Sequence, residues 1–157
     1  KTLIPCYDAL LHTKVQKCSY NLDRSKISYI LHENMYHHNG IGLSANQIGI
    51  NERVFVMISD LDTQETITCF NPKILKYSKD MVVMEEGCLS YPDMYLDVPR
   101  PESVVVKYED EGKKVHKLKL EGLAARVFQH EYDHMEGIDF SQRANVAINT
   151  SKELTLN

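Results

Sequence analysis

The stretch Gln129-His130-Glu131-Tyr132-Asp133-His134 contains two histidines four residues apart, with a glutamate directly after the first. On an α-helix this spacing places both imidazoles on one face, where they can bind one metal ion while the glutamate serves as a base. Leu123 and Val127 share that face, which indicates that the histidines point inward. With Gly137 as a C-terminal stop, the pattern predicts a buried metal-binding helix over residues 121–136.

The motif alone does not decide between a metal site and two core histidines spaced four apart by chance, so a third ligand is needed. An extended zincin motif requires a histidine six residues after His134, but Phe140 stands there. Glu153 lies in a polar tail with no predicted helix to hold it. Cys88 follows a glycine at the end of a predicted strand and precedes a proline-containing turn, where it can face a cleft. It is the better candidate, although most free cysteines are buried as small hydrophobic residues.

Composition indicates a single domain, residues 1–157, with a loose polar tail at about 145–157. The chain has 157 residues, 43% of them hydrophobic, and a formal charge of −4. That charge predicts neither nucleic acid nor an anionic membrane as a partner. The four cysteines form no CxxC pair, and no signal-peptide core or run of 18 apolar residues occurs. We expect a monomer that acts in the cytoplasm. An organelle or a virus-infected host cell is also compatible with this sequence.

The pattern predicts an α+β fold, with antiparallel β-sheets packed around a central C-terminal metal-binding helix and with an N-terminal helix. Apolar residues recur at helical spacing after Asp23 or Ser25, either of which is a fair N-cap, and Asn39-Gly40 is typical of a helix end. Between Arg53 and Leu120, five short β-branched or alternating runs predict strands, and Asp110-Glu111-Gly112 predicts a hairpin turn. Residues 40–47 predict a loop whose glycines allow close approach of a bound peptide.

Three stretches occur in an order and spacing that resemble the peptide deformylase family. They are GIGLSANQ at 40–47, EGCLS at 86–90 and QHEYDH at 129–134, and the signatures of the family are GxGLAAxQ, EGCLS and HExDH. Residues 122–137 also resemble the helix of the family almost throughout. The resemblance is strong from Gly40 to Phe140 and weak before that. Ser44 replaces the first alanine of the glycine-loop signature.

The resemblance implies a role for each matching residue. Glu131 would be the general acid and base, and Gln47 with the backbone N–H of Leu89 would stabilise the oxyanion. Asp133 would support the site by pairing with Arg100 or Arg126. One divalent metal ion is implied, Fe²⁺ being the usual one, with Zn²⁺, Ni²⁺ or Co²⁺ as substitutes. Its implied ligands are Cys88, His130 and His134, and the implied substrate pocket is lined by Ile41, Gly42, Glu86, Leu123 and Val127.

The implied reaction is hydrolysis of the N-formyl group of N-formylmethionyl nascent peptides, with release of formate, as part of protein biosynthesis. Many family members continue into a long C-terminal helix implicated in ribosome contact, which leaves ribosome docking open for this chain. Two alternatives compete. A zinc peptidase would share the HExxH helix and take Glu153 or another residue as its third ligand. A non-enzymatic protein would use the metal only to hold the fold.

Overall fold

The computed structural model describes residues 1–144 and shows a mixed α+β fold. The predicted tail at 145–157 lies outside the described residues. The helical elements that lie wholly within the described residues are α1 Arg24–His37, α2 Gly122–Met135, and 3₁₀ turns at Ala9–His12 and Ala45–Ile48. Residues 140–144 are also helical. The seven strands are β1 Gly42–Ser44, β2 Val54–Asp60, β3 Glu65–Tyr77, β4 Met81–Cys88, β5 Tyr91–Pro101, β6 Ser103–Glu109 and β7 Val115–Glu121.

The strands form two antiparallel sheets that surround α2, which confirms the predicted fold class. One sheet has five strands in the order β1-β2-β3-β6-β7, and the other is the β4–β5 hairpin. Alternate side chains of a strand point to opposite faces. Phe55 of β2 and Val106 of β6 therefore pack on α2, whereas Val54 and Val56 of β2 pack on α1. No helix within residues 1–144 is long and apolar enough to cross a membrane.

Helix α1 forms where the sequence predicted it. The Asp23 side chain caps it by accepting a hydrogen bond from the Lys26 amide at 3.1 Å. Leu31 and Met35 are fully buried on its inner face. Asn39 ends the helix with a left-handed φ of 57°, a backbone conformation that Asn adopts more readily than most residues other than glycine.

Helix α2 spans Gly122–Met135, within one residue of the predicted range at either end. Gly137 stops it with a φ of +72°. A Cβ at this position would lie 2.7 Å from the backbone nitrogen of Thr13, so the turn requires glycine for space as well as for conformation. The same turn seats the N-terminal segment against the end of the helix, where the Val15 amide donates to the Met135 carbonyl at 2.8 Å.

The sequence patterns missed two strands. β5 was not predicted because it contains Pro92, Pro99 and Pro101, which donate no backbone hydrogen bond. It tolerates them because it pairs only with β4, so one side of the strand has no ladder to complete. The loop predicted for residues 40–47 is instead β1 followed by a 3₁₀ turn. β1 is only three residues long and is bounded by glycine, too short for alternation to be detected.

Candidate metal centre and catalytic site

Three side chains from two elements converge as a candidate metal centre. Cys88 ends β4, and His130 and His134 lie one turn apart on α2. Their ligand atoms all lie within 4.8 Å of one another, and the Cys88 Sγ is 3.4 Å from the His134 Nε2. Both histidines are buried, as predicted, at 9% and 2% exposure. One thiolate with two imidazoles suits a divalent transition metal and leaves a coordination position for water or substrate.

Glu86 fixes the orientation of His130. Its Oε1 accepts a hydrogen bond from the His130 Nδ1 at 2.8 Å, which leaves the His130 Nε2 for the ligand cluster. Its Oε2 accepts from the Arg100 Nε at 2.6 Å and from the Arg126 Nη1 at 2.7 Å. Burial alone would raise the pKa of Glu86, but the hydrogen bonds from His130 and Arg100 hold it well below its usual range. Glu86 is therefore a carboxylate that positions a ligand as well as part of the cavity wall.

Asp133 extends this buried ionic network. It accepts from the Arg100 Nη1 at 2.7 Å and from the Arg143 Nη2 at 2.9 Å. Of the two partners predicted for Asp133, Arg100 is confirmed and Arg126 is wrong, because Arg126 binds Glu86 instead. The contact of Arg126 with Glu86 was not predicted, although one signal pointed to a buried role for Arg126. It lies four residues before His130, on the face of α2 predicted to be buried.

Glu131 follows His130 on α2, lines the same cavity as the candidate metal ligands Cys88 and His130, and is 4% exposed. Burial raises its pKa to about 7, although the charge of the neighbouring His130 opposes the shift. Its Oε1 has no hydrogen-bond partner within the described part of the chain. A carboxyl group with a pKa near neutrality can both accept and return a proton, which is what a general acid and base requires.

Gly42 of β1 packs directly against Glu131. A Cβ on Gly42 would lie 2.7 Å from the Glu131 Oε2 and 3.1 Å from its Cγ, closer than side-chain contacts allow. The sequence predicted that a glycine here would admit a bound peptide. The structure shows that it also leaves room for the Glu131 carboxylate.

Gln47 is held so that its amide nitrogen faces the ligand cluster. Its Nε2 donates to the Ser90 Oγ at 2.9 Å and lies 3.6 Å from the Cys88 Sγ. The Ser44 amide donates to the Gln47 Oε1 at 2.9 Å, and the Ser44 hydroxyl is 3.0 Å from the same oxygen. The serine that departs from the family signature thus helps to fix which end of the Gln47 amide points at the site. Ser90, which the sequence analysis did not single out, supports the other end.

A cavity of about 450 Å³ opens beside these groups and is mostly apolar. All five residues predicted to bind substrate line it, as do Gln47 and Leu89. Sequence patterns did not single out Met84 of β4, and they gave none of the lining residues of β5 because that strand was not predicted. The cavity lining thus includes Ile41, Gly42, Glu86, Leu123 and Val127, together with Met84, Tyr91, Met94 and Tyr95.

Replacing Gly42 with alanine should lower kcat by roughly 10- to 100-fold, because displacing a catalytic group by about 1 Å can cost about 10²-fold in rate. The new methyl group must push the buried Glu131 carboxylate aside. Turnover of the Gly42→Ala protein, measured beside Gly112→Ala, tests this. A Cβ at position 112 would lie 3.5 Å from the Asp110 Oδ1, which is an ordinary van der Waals distance, and this turn is exposed. Equal rates for the two variants would contradict the expectation.

Replacing Arg100 with methionine should lower the free energy of unfolding by roughly 3–5 kcal/mol, since it removes one partner from a buried ionic network. Arg100 is 3% exposed and bridges Glu86 to Asp133. Urea unfolding measures the change. Lys119→Met is the matched control, because its pair with Glu121 is exposed and should contribute less than about 1 kcal/mol. Indistinguishable unfolding midpoints for the two variants would show that the network does not stabilise the fold.

Comparison with known proteins gives one consistent family. A family model described as polypeptide deformylase matches residues 1–149. The chain is 40% identical to a peptide deformylase of Picosynechococcus over 124 residues, 78% of this chain and 66% of that protein. It is 43% identical to peptide deformylase 2 of Prochlorococcus marinus over 122 residues, 76% of this chain and 61% of that protein. The chain thus spans about two thirds or less of these relatives.

The fold is also similar to solved structures. One is a class I type b peptide deformylase of Acinetobacter baumannii with Met-Ala-Ser bound, at a TM-score of 0.81 and 32% identity. The match covers 90% of this chain and 96% of that one. The family match begins at residue 1, so it extends into the N-terminal segment, where the sequence motifs gave little resemblance.

Proposed function

Because the chain belongs to the polypeptide deformylase family, we propose that it hydrolyses the N-formyl group of N-formylmethionyl peptides, nascent chains above all, and releases formate. One observation carries the proposal. A buried carboxyl group, Glu131, lies directly beside a Cys88-His130-His134 ligand cluster that opens to an apolar cavity. This arrangement provides a metal site, a base and a place for an apolar side chain within one cleft.

The donor set fits a divalent metal ion held by Cys88, His130 and His134. Cys88 and His134 already lie at 3.4 Å, and Glu86 leaves the Nε2 of His130 available. When bound, such an ion polarises a carbonyl oxygen and lowers the pKa of a water molecule toward about 7. We propose Fe²⁺ as the ion in the cell, with Zn²⁺, Ni²⁺ or Co²⁺ as substitutes, since this mixed thiolate and imidazole set accepts all four.

Glu131 accepts the proton of the attacking water and returns it to the amine nitrogen as the formyl C–N bond breaks. Its pKa of about 7 suits both transfers near neutral pH. The Gln47 Nε2 and the backbone N–H of Leu89 hydrogen-bond the formyl oxygen as it gains negative charge. Each such donor contributes roughly 3–4 kcal/mol at comparable oxyanion holes. Ser44 and Ser90 keep the Gln47 amide in place for this.

The cavity accommodates the methionine side chain. Ile41, Leu123 and Val127 line it with aliphatic surface that suits an unbranched thioether. The similar peptide deformylase of Acinetobacter baumannii has Met-Ala-Ser bound, a peptide that begins with methionine. We propose that the protein acts on N-formylmethionyl nascent chains as a monomer in the cytoplasm.

The zinc-peptidase alternative shares the HExxH helix but needs Glu153 or another residue as its third ligand. Glu153 lies outside the described residues, and within them the one candidate group is Cys88, His130 and His134. Cys88, the third ligand that the deformylase assignment needs, lies within reach of both histidines.

The test is formate release from a short formyl-Met peptide. Protein purified without oxygen and supplied with iron or nickel should release formate, and a chelated sample should not. Cleavage of an internal peptide bond in the same substrate would favour the peptidase. A folded, metal-loaded protein that released no formate would overturn the proposed function.

A further inference from the structure

One part of the five-stranded sheet has an uncovered face with a concentration of positive charge. Helix α1 covers β1, β2 and the first half of β3 on one side of this sheet, and α2 packs on the other side. The rest of the α1 side, formed by the second half of β3 with β6 and β7, is open to solvent. We call it the lysine face. Its five exposed lysines are Lys73, Lys76, Lys107, Lys117 and Lys119.

The strand register places these lysines next to one another. Lys107 of β6 pairs with Lys73 of β3 on one side and with Lys117 of β7 on the other, so three ammonium groups form a row across three strands. Lys76 and Lys119 flank Val105 in the same way. Directly opposed residues have Cβ atoms only about 5 Å apart, and like charges at that distance destabilise a sheet.

Little in the described part of the chain neutralises this charge. Among these five lysines only Lys119 forms an ion pair within residues 1–144, with Glu121 at 3.2 Å. The net charge of −4 predicted no polyanionic partner, but a net charge averages over the surface. The structure shows that positive charge is gathered on one face, where its potential can attract an anion.

We propose that the lysine face binds the phosphate backbone of single-stranded RNA. The face is an open sheet with no helix to enter the groove of a duplex, and open sheets and basic tracks with aromatic platforms are used to bind single strands. At the tip of the β6–β7 hairpin, the Lys113 Nζ lies 4.7 Å from the centre of the Tyr20 ring. Tyr20 is 87% exposed. It offers a ring on which a base can stack beside the phosphate track.

Other anionic partners fit the face less well. A membrane anchor needs a contiguous apolar patch to insert. The exposed Leu75 and Val115 lie singly. Leu75 is next to Lys76, the strand partner of Val105, whereas Val115 pairs with Glu109, and Val105 and Glu109 are about 13 Å apart along β6. An acidic peptide would add as a strand at a sheet edge, but these lysines project from the face of the sheet, where no main-chain hydrogen bonds are available. RNA requires only regularly spaced phosphates.

RNA on this face would leave the cavity open. The lysine face lies on the side of the sheet opposite α2, the helix that carries His130 and His134. The inference therefore does not depend on the proposed function, and the two can fail separately.

The experiment measures binding of a fluorescent oligouridylate of about 12 nucleotides by anisotropy. With five lysine contacts, the logarithm of the affinity should fall with the logarithm of the salt concentration with a slope of roughly −3.5. The triple variant Lys73→Gln, Lys107→Gln and Lys117→Gln should weaken binding at least about tenfold at about 50 mM salt and make the slope shallower by about 2. The matched control is Lys1→Gln, Lys14→Gln and Lys26→Gln, which removes the same charge from exposed positions elsewhere and should bind as the wild type does.

Two readouts keep the test independent of folding. Because the triple variant removes like-charge repulsion, its Tm should equal or exceed that of the wild type, and its formate release should be unchanged. The proposal is overturned if the wild type does not bind the oligouridylate at about 50 mM salt, or if both triple variants lose binding equally. Tighter binding to oligothymidylate, polyglutamate or vesicles of phosphatidylserine than to the oligouridylate would assign the face to another partner and also overturn it.

Discussion

Replacing Glu131 with glutamine should lower kcat by roughly 10²- to 10⁴-fold while the metal content per chain stays unchanged. The glutamine amide keeps the shape of the side chain but cannot accept the proton that the buried carboxylate takes up. Glu131 is not among the three clustered ligands, so the loss should appear in turnover and not in metal binding. Steady-state formate release and elemental analysis of the same sample measure both quantities.

Glu121→Gln is the matched control, because that glutamate precedes the same helix but its side chain is 69% exposed. It should turn over at the wild-type rate. If Glu131→Gln released formate at the wild-type rate, the catalytic assignment of Glu131 would be wrong.

Replacing Cys88 with serine should abolish most activity by removing most of the bound metal. A serine hydroxyl does not ionise near neutral pH and is a poor ligand for the ions that a thiolate and two imidazoles select. Only His130 and His134 would remain as strong donors. We expect a metal content far below one ion per chain after dialysis, with formate release falling in parallel.

Cys6→Ser provides the control, since Cys6 is also a partly exposed cysteine but is not part of the ligand cluster. It should retain both metal and activity. A Cys88→Ser protein that kept a full equivalent of metal would point to a third ligand elsewhere, as the peptidase alternative requires.

Local patterns in the sequence were sufficient for both helices. The helical spacing on α2 predicted its buried face, which includes Leu123, Val127, His130 and His134. Two N-cap candidates, Asp23 and Ser25, predicted the start of α1, and the structure has Asp23 as the cap. These features depend on residues within one or two helical turns, where the period of 3.6 and the capping chemistry fix the outcome. The ligand set was identified by resemblance to a family, since nothing local links Cys88 to a helix that begins 34 residues later.

The tertiary structure decided the contacts between distant segments. It selected Glu86 as the partner of Arg126, placed Gly42 against Glu131 and aligned Lys73, Lys107 and Lys117 in one row. Each of these depends on strand register or on the packing of a strand against α2, and one-dimensional periodicity does not contain that information.

The sequence by itself thus determined the helices, the fold class and the residue types of the site. The fold decided which charged side chains form ion pairs, because each one pairs with the oppositely charged side chain that packing brings within about 3 Å. The same reason explains why a net charge of −4 could not reveal a basic face: charge adds along a chain, but an electric field depends on where the charges lie.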